Sequence, residues 1–545
     1  MNARKWIAGI ALSLGCVWVG TPAIPTIDIG SRKQLFIDHK FIESAEGVSL
    51  AMNPPWQNGE VLIAPDASWE KDTVIGSYGT VVAENGKIRI WYPVLGKDHL
   101  PHKNPDYMGL AYAESDDGIH FRKPELGLVE YKGDRRNNLV LPVDPKLMSI
   151  GGGSVLIDEN PNCPPGERYK SWQKIYPKPN SGIRGPYRIW VSPDGLRWKL
   201  SEKLVTGLRA ADTQPSWFWE PEIARYVGYS REWTRFANGR PIRMASYNES
   251  DDLHAWEKMQ IALEPDDTDF AADLRPMVDP ARMKIERETW VPSEMPARRI
   301  EQREGGTVFD DPVPIPGAPL DIYGPGVFPY READGVYISL LSAFHHWKAE
   351  ERGSWPDTAD VRLAVSRDRR HFIQPGARQP FLRVGHSGSF DSKWIWAFPK
   401  PVRRGDELWI YYFGTNQDHG SRADSAAKER LTAIARAVMR LDGFVSADFD
   451  YAGGTLMTPP IRFTGRRLEL NLDTGAGGVG RVEIVRGDGS PIPGFTMLDA
   501  DQLNGNSVRL PVSWKGKSDL SALAGQEIRL RLKMRAAKLY AFQFR

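Results

Sequence analysis

A short motif recurs along this chain: a strand ending in a small polar residue, an acidic tight turn, and an aromatic just beyond it. It reads Ser115-Asp116-Asp117-Gly118-Ile119-His120-Phe121, then Ser192-Pro193-Asp194-Gly195-Leu196-Arg197-Trp198, then Ser250-Asp251-Asp252-Leu253-His254-Ala255-Trp256. Ser366-Arg367-Asp368-Arg369-Arg370-His371-Phe372 follows, and a degenerate Arg440-Leu441-Asp442-Gly443-Phe444 closes the series. Ahead of each copy a hairpin turn leads into an aromatic-rich strand, as in Asn85-Gly86 before Ile88-Arg89-Ile90-Trp91-Tyr92 and Gly405-Asp406 before Leu408-Trp409-Ile410-Tyr411-Tyr412. Gly, Asn and Asp supply the positive φ that tight hairpins need. A repeat of this length with one hairpin per unit specifies stacked four-stranded sheets around an axis. Hairpin and acidic turn alternate five times, so the expected fold is all-β: a five-bladed β-propeller. Such a fold brings one strand of every blade to a central mouth, where residues distant in sequence meet. The turn carboxylates Asp116, Asp194, Asp251 and Asp368 are expected to cap turns. His120, His254 and His371 share those turns and are expected to be structural or exposed.

After Asp450 the character changes. Gly453-Gly454-Thr455 opens a region of alternating strands, Arg467–Leu472, Arg481–Val485, Ile528–Lys533 and Leu539–Phe544, each apolar at every second position. The expected division is a leader at 1–23, a propeller at 24–450 and a C-terminal β-sandwich at 451–545 with an accessory role. The blade spacing breaks once. Roughly 264–320 holds an insertion rich in Pro and charge, and it reads either as a solvated excursion or as a lid over the mouth, with Trp290, Arg298, Arg299 and Arg303 as its reaching side chains.

With 71 Lys and Arg against 69 Asp and Glu, the net charge of +2 carries no nucleic-acid footprint. Met1-Asn2-Ala3-Arg4-Lys5 ahead of an apolar run from Trp6 to Gly20 reads as a secretory signal, so the mature chain is expected to be secreted or periplasmic. No later run is long and apolar enough for a membrane span. Of the two cysteines, Cys16 lies in the leader, where Ser13-Leu14-Gly15-Cys16 is a poor lipobox, and simple cleavage is preferred over a lipid anchor. Cys163 is then the one thiol of the mature chain, and packing rather than disulfides must stabilise it. No His/Cys/carboxylate spacing meets a zinc pattern, and neither a metal nor a cofactor is expected. Gly151-Gly152-Gly153-Ser154 lacks the Lys-Ser/Thr of a phosphate loop and is expected to allow close approach to the axis.

Five blades followed by a β-sandwich resemble the glycoside hydrolases of family 32 and their propeller relatives of family 43. Leu35-Phe36-Ile37-Asp38-His39 also resembles the opening of secreted bacterial family-32-like proteins. The resemblance implies a carbohydrate substrate and three carboxylates on the innermost strands of separate blades. Where family 32 carries its first Asp, this chain has Ile75-Gly76-Ser77-Tyr78-Gly79-Thr80-Val81-Val82, without a carboxylate. The acidic turns are similar to sialidase Asp-boxes, which are peripheral structural elements.

Glycoside hydrolysis pairs a protonated carboxyl with an ionised one. Carboxylates entering inner strands occur in three successive blades: Asp212 before Trp217-Phe218-Trp219, Asp321 in Leu320-Asp321-Ile322-Tyr323, and Asp391 before Trp394. These are the candidate catalytic residues. Asp321 or Asp391 is expected to activate water or attack, and Asp212 to serve as acid or stabiliser. Trp217, Trp219, Tyr323, Trp394 and Trp396 are the candidate surfaces for sugar rings, and equally candidates for blade packing. His386 and the pair His345-His346 are further candidates, since the resemblance to family 117 propellers would allow a histidine acid. Glu220 and Glu222 sit at the wrong end of their strand. The expected function is a secreted glycoside hydrolase; the alternative is a non-catalytic glycan-binding propeller.

Overall fold

The computed structural model describes residues 24–96, 108–141, 155–174, 183–184, 187–208, 211, 213–235, 241–265, 269, 301–303, 306–308, 320–345, 357–419 and 430–545. The leader, Gly151–Ser154, Asp212, Trp290, Arg298, Arg299, His346 and most of the insertion fall outside them.

The chain is all-β and propeller-like. In the first sheet Thr73–Ile75 and Thr80–Glu84 both pair with Lys87–Gly96, followed outward by Met108–Ser115 and Leu139–Leu141. The second runs Val155–Ile157, Tyr169–Lys174, Tyr187–Ser192 and Lys199–Leu204. The third begins with Ser216–Glu220 and Arg225–Tyr229, reaches Pro241–Ser250, which Arg231–Arg235 also pairs, and ends at Gln260–Leu263. The fourth pairs Leu320–Gly324 and Val327–Pro329 with Tyr337–His345 and then Thr358–Ser366. A single parallel bridge, Ala359 to Trp394, joins it to the fifth. There Trp394–Ala397 and Val402–Arg404 pair with Glu407–Thr415, then Thr432–Arg440. The outermost strand of this last sheet is Trp56–Ile63, from the other end of the chain. That strand ties the last sheet to the segment entering the first.

The repeated turn has one construction in four copies. Asp117 Oδ1 accepts from the backbone N–H of Ile119 and His120, Asp194 Oδ1 from Leu196 and Arg197, Asp252 Oδ1 from His254 and Ala255, and Asp368 Oδ1 from Arg370 and His371. The capping carboxylates in the first and third copies are therefore Asp117 and Asp252, where the sequence suggested Asp116 and Asp251. The reason is geometric: the Asp must directly precede a residue of positive φ, here Gly118 (φ 81°), Gly195 (φ 75°), Leu253 (φ 65°) and Arg369 (φ 73°). His120 and His371 are exposed and bond Asp117 and Asp368 through Nδ1.

Each turn docks on the preceding sheet. Trp91 Nε1 donates to Gly195 O at 2.7 Å, Tyr229 OH to Arg369 O at 2.6 Å, and Tyr411 OH to Gly118 O at 2.8 Å. The last of these carries the fifth sheet back onto the first. A Cβ on Gly195 would lie 2.6 Å from Trp91 Cζ2, so the aromatic of one sheet and the glycine of the next are one fitted contact. The fifth copy is degenerate because it is anchored differently: Tyr330 OH donates to Asp442 Oδ1, and Asp442 also receives Lys33 and Asn471.

The strands after Asp450 do not pair only among themselves. Of the two remaining six-stranded sheets, one includes Ile27–Gly30 and Ser44–Glu46, the other Gln34–Leu35, Val48–Met52 and Val445–Phe449. Phe36, Phe41, Phe449, Leu456, Leu470, Trp514 and Phe542 fill the space between them. The strands Ile27–Gly30, Gln34–Leu35 and Ser44–Glu46, assigned by sequence to the propeller, thus pair with strands after Asp450, and Val48–Met52 pairs with Val445–Phe449.

Candidate functional site at the mouth

Asp321 lies in Leu320–Gly324, whose end of the sheet is opposite the hairpin joining Val327–Pro329 to Tyr337–His345. It is 2% exposed, and one residue of the neighbouring sheet holds both its oxygens: the backbone N–H of Arg243 donates to Oδ1 at 3.1 Å and Arg243 Nη1 to Oδ2 at 2.5 Å. Alternation puts Tyr323 on the same face of the strand, with Leu320 and Ile322 turned to the opposite one against Ala245 and Leu263.

Tyr323 is the centre of an aromatic wall. Its ring stacks on Phe344 at 4.7 Å and meets Trp394 edge-on at 5.6 Å and Trp396 at 6.2 Å. The guanidinium carbons of Arg231 and Arg243 lie 5.2 Å and 5.3 Å from its centroid. His419, exposed at the rim, stacks on Trp394 at 5.1 Å, and its Nε2 is 3.3 Å from Tyr323 OH. The site therefore combines a held carboxylate, two buried cations, an aromatic wall and a solvent-facing imidazole.

Deeper on the axis, Gln214 Nε2 donates to Gly79 O at 2.9 Å while its Oε1 accepts from Trp396 Nε1 at 3.0 Å. One amide thus joins the first, third and fifth sheets. Gly324 lets Trp396 lie flat there, since a Cβ would sit 2.1 Å from Cη2.

The other sequence candidates are distributed more widely. Asp212 lies outside the described residues. Asp391 is buried on the fifth sheet, where Oδ1 accepts from Ser389 Oγ at 2.7 Å and Oδ2 from Tyr412 OH at 3.0 Å, and Gly385 and Gly414 leave space for its side chain. Tyr412 belongs to the core shared by the fourth and fifth sheets, whereas Tyr323 and Trp394 belong to the core shared by the fifth and first. His386 is exposed at the head of the Ser389 turn, and its carbonyl accepts from Ser389 N and Oγ. Trp217 and Trp219 are packed between the second and third sheets: Trp217 stacks on Trp172 at 4.2 Å, and Trp219 meets Tyr226 at 5.0 Å. His345 lies at the mouth end beside Asp360, 3.3 Å from its carboxylate.

Glu220 and Glu222 are at the hairpin end, as expected from their position. Glu220 is fully buried and accepts from Arg331 and from Tyr337 OH, and Glu222 pairs with Arg369. A groove of about 440 Å³ opens at this end, lined in part by Arg32, Lys33, Glu222, Arg331, Glu332 and Asp334. All six are ion-paired, Arg32 with Asp334, Lys33 with Asp442, Arg331 with Glu220, Glu222 with Arg369 and Glu332 with Arg403. Its charges are satisfied by the protein itself.

Reading the sequence missed Arg231, Arg243, His419 and Gln214. Arg243 left one trace, a cation between Ile242 and Met244 in a strand whose neighbours are all buried. His419 left none, because it follows its strand in a loop. Among the described residues, no group of three or more His, Cys, Asp or Glu is arranged to hold a metal ion.

No family model matches the sequence, and no curated protein matches it. Among solved structures the chain is similar to a glycoside hydrolase at 12% identity and a TM-score of 0.42, over 71% of this chain and 92% of that one. It is similar to a family-32 β-fructofuranosidase of Bombyx mori at 10% identity and a TM-score of 0.37, over 90% and 94% of the two chains. A family-43 enzyme of Xanthomonas citri complexed with xylotriose is 11% identical with a TM-score of 0.37, over 70% and 90%. Both families that the sequence resembles are thus among these structures.

Proposed function

We propose that this protein is a secreted glycoside hydrolase built as a five-bladed β-propeller with an accessory β-sandwich, acting at the mouth through Asp321 and Asp212. The observation that carries the reading is Asp321 itself: a buried carboxylate at the head of an inner strand, gripped by Arg243 and bordered by the Tyr323–Phe344–Trp394 wall. A pyranose presents C–H faces that pack on such rings, while its hydroxyls require the charged and amide groups beside them. Hydrolysis needs a second carboxyl to complement the first. Asp212 stands two residues before Gln214 in the sequence, ahead of the strand Ser216–Glu220, and is the partner we assign. Asp391, enclosed by Ser389 and Tyr412, supports the fifth sheet in this reading.

The test is reducing-sugar release from a broad panel of polysaccharides and oligosaccharides, repeated with Asp212→Asn, Asp321→Asn and Asp391→Asn. Loss of turnover in the first two with substantial activity left in the third is the expected result. Full activity in Asp321→Asn would remove the site assignment.

A second reading, a glycan-binding propeller without turnover, is favoured by the first sheet. Its inner segment Ile75–Val82 contributes no carboxylate, and Thr80 is engaged in accepting from Val155 N at 2.9 Å. Saturable glycan binding with no hydrolysis by the purified protein would establish that reading instead.

A further inference from the structure

We infer that Arg243 is a positioning residue that fixes Asp321 as the ionised carboxylate of the site, which makes Asp321 the base or nucleophile and leaves the acid role to another group. This inference rests on the mouth as the reactive centre.

The argument is geometric. A carboxylic acid has one oxygen that accepts and one that carries a proton. Both Asp321 oxygens face donors from a single residue, the Arg243 backbone N–H and its Nη1. A proton on Oδ2 would point at a guanidinium that can only donate. The pair is charge-assisted and largely buried, with Arg243 8% exposed and Asp321 2%. Around the guanidinium stand three aromatic rings, Trp233 at 4.6 Å, Tyr323 at 5.3 Å and Phe344 at 5.6 Å. Ring faces on the cation and little water nearby strengthen the attraction between the two charges.

The register of the strands explains why this pairing crosses between sheets. Arg243 sits on the third strand of the third sheet, opposite Trp233. Asp321 sits on the first strand of the fourth, opposite Phe344. The carboxylate is therefore located by a neighbouring sheet and not by its own, so the angle between the two sheets sets its position at the mouth. The strands packed against Asp321 also carry, among the described residues, Arg231, Glu232, Tyr247 and Glu249 from the third sheet, and Tyr323, Tyr337 and His345 from the fourth. Arg243 Nε is buried and makes no hydrogen bond among the described residues.

Two variants test the assignment. Arg243→Met keeps the stem that packs on Trp233 and removes the charge; Arg243→Lys keeps the charge and loses the fork. On a glycan that the wild type hydrolyses, Arg243→Met is expected to lower kcat by about 100-fold or more with a smaller change in KM. Its acidic limb should move to higher pH by about one unit or more, because losing an adjacent cation disfavours the carboxylate. Arg243→Lys should recover part of both.

A second readout needs no substrate: infrared titration of protein labelled with ¹³C-aspartate, with Asp321 assigned by subtracting the Asp321→Asn spectrum. The Asp321 carboxylic-acid band should appear at higher pH in Arg243→Met than in wild type. An Asp321 band that titrates alike in wild type, Met and Lys variants overturns the inference, whether or not hydrolysis is found. Absence of hydrolysis on every glycan with the infrared shift present would instead sink the hydrolase reading and leave the positioning role standing. If Arg243→Met does not fold, the Lys variant decides by the same band.

Discussion

Glu220 offers the clearest test of which acids are structural. It is an inner-strand Glu in a fold where such residues invite a catalytic role, yet it lies at the hairpin end and is completely buried. Its carboxylate accepts from Tyr337 OH at 2.7 Å and from Arg331 Nη1 at 3.1 Å and 3.3 Å, which ties the third sheet to the fourth. Replacing it with Ala leaves the Tyr337 hydroxyl buried and without that acceptor, a loss of about 1.5–3 kcal/mol for a bond to a charged group. The Arg331 side chain is 39% exposed, so water substitutes there and its share is below about 1 kcal/mol. The total is about 3 kcal/mol. Unfolding entropy of about 2.1 cal/mol/K per residue over 545 residues comes to roughly 1.1 kcal/mol/K, if the interlaced sheets melt together. The expected fall in Tm is therefore about 3 °C for Glu220→Ala. Glu220→Gln keeps an acceptor for Tyr337 and should lose about half as much. Melting followed by tryptophan fluorescence reads this, with Glu222→Gln as the control at an exposed pair, expected to move by less than about 0.5 °C. Glycan turnover below the transition should be unchanged. Glu220→Ala melting with the control, or folded Glu220→Gln without activity where wild type has it, would refute the reasoning.

Gly195→Ala should destabilise markedly more than Gly127→Ala: both have positive φ, but only Gly195 would push a Cβ to 2.6 Å from Trp91, whereas Gly127 faces open space, and chemical denaturation of the two variants compares them. Acid should erode stability through the turn carboxylates. At Asp117 the His120 side chain leads in lowering the pKa, followed by backbone N–H groups; at Asp194, Asp252 and Asp368 burial opposes ionisation but the donors outweigh it. Depressed folded values mean stability that is present above the unfolded carboxylate pKa near 3.9 and lost as pH falls through the folded values, so Tm should drop below about pH 4 and drop less steeply in Asp194→Asn. Expression of 451–545 alone should give no cooperative melt, because the strands Val48–Met52 and Val445–Phe449 that complete its sheet are missing. A sharp transition for that fragment would show that the C-terminal strands suffice by themselves.

What the sequence carried by itself was local. The acidic turns, the Asn85-Gly86 hairpin and the alternation within Leu468–Asp473 are each fixed by φ preferences and side-chain period over a few residues, and each is present in the structure. Even there the reading slipped by one residue at Asp117 and Asp252, since two adjacent acids look alike until the positive φ chooses between them. Asp321 could be singled out because it heads an inner strand. Its partner could not: Arg243 is 78 residues away and on another sheet, and nothing in either segment specifies their distance. The same holds for Gln214 reaching Gly79 and Trp396, for Trp217 turning toward Trp172, and for Trp56–Ile63 pairing with Thr432–Arg440. Contacts between sheets depend on how each sheet twists against the next, a property of the closed assembly. Residue identity therefore decided which turns and strands form, while the packing of sheet on sheet decided which partners the buried carboxylates Asp321, Asp391 and Glu220 meet.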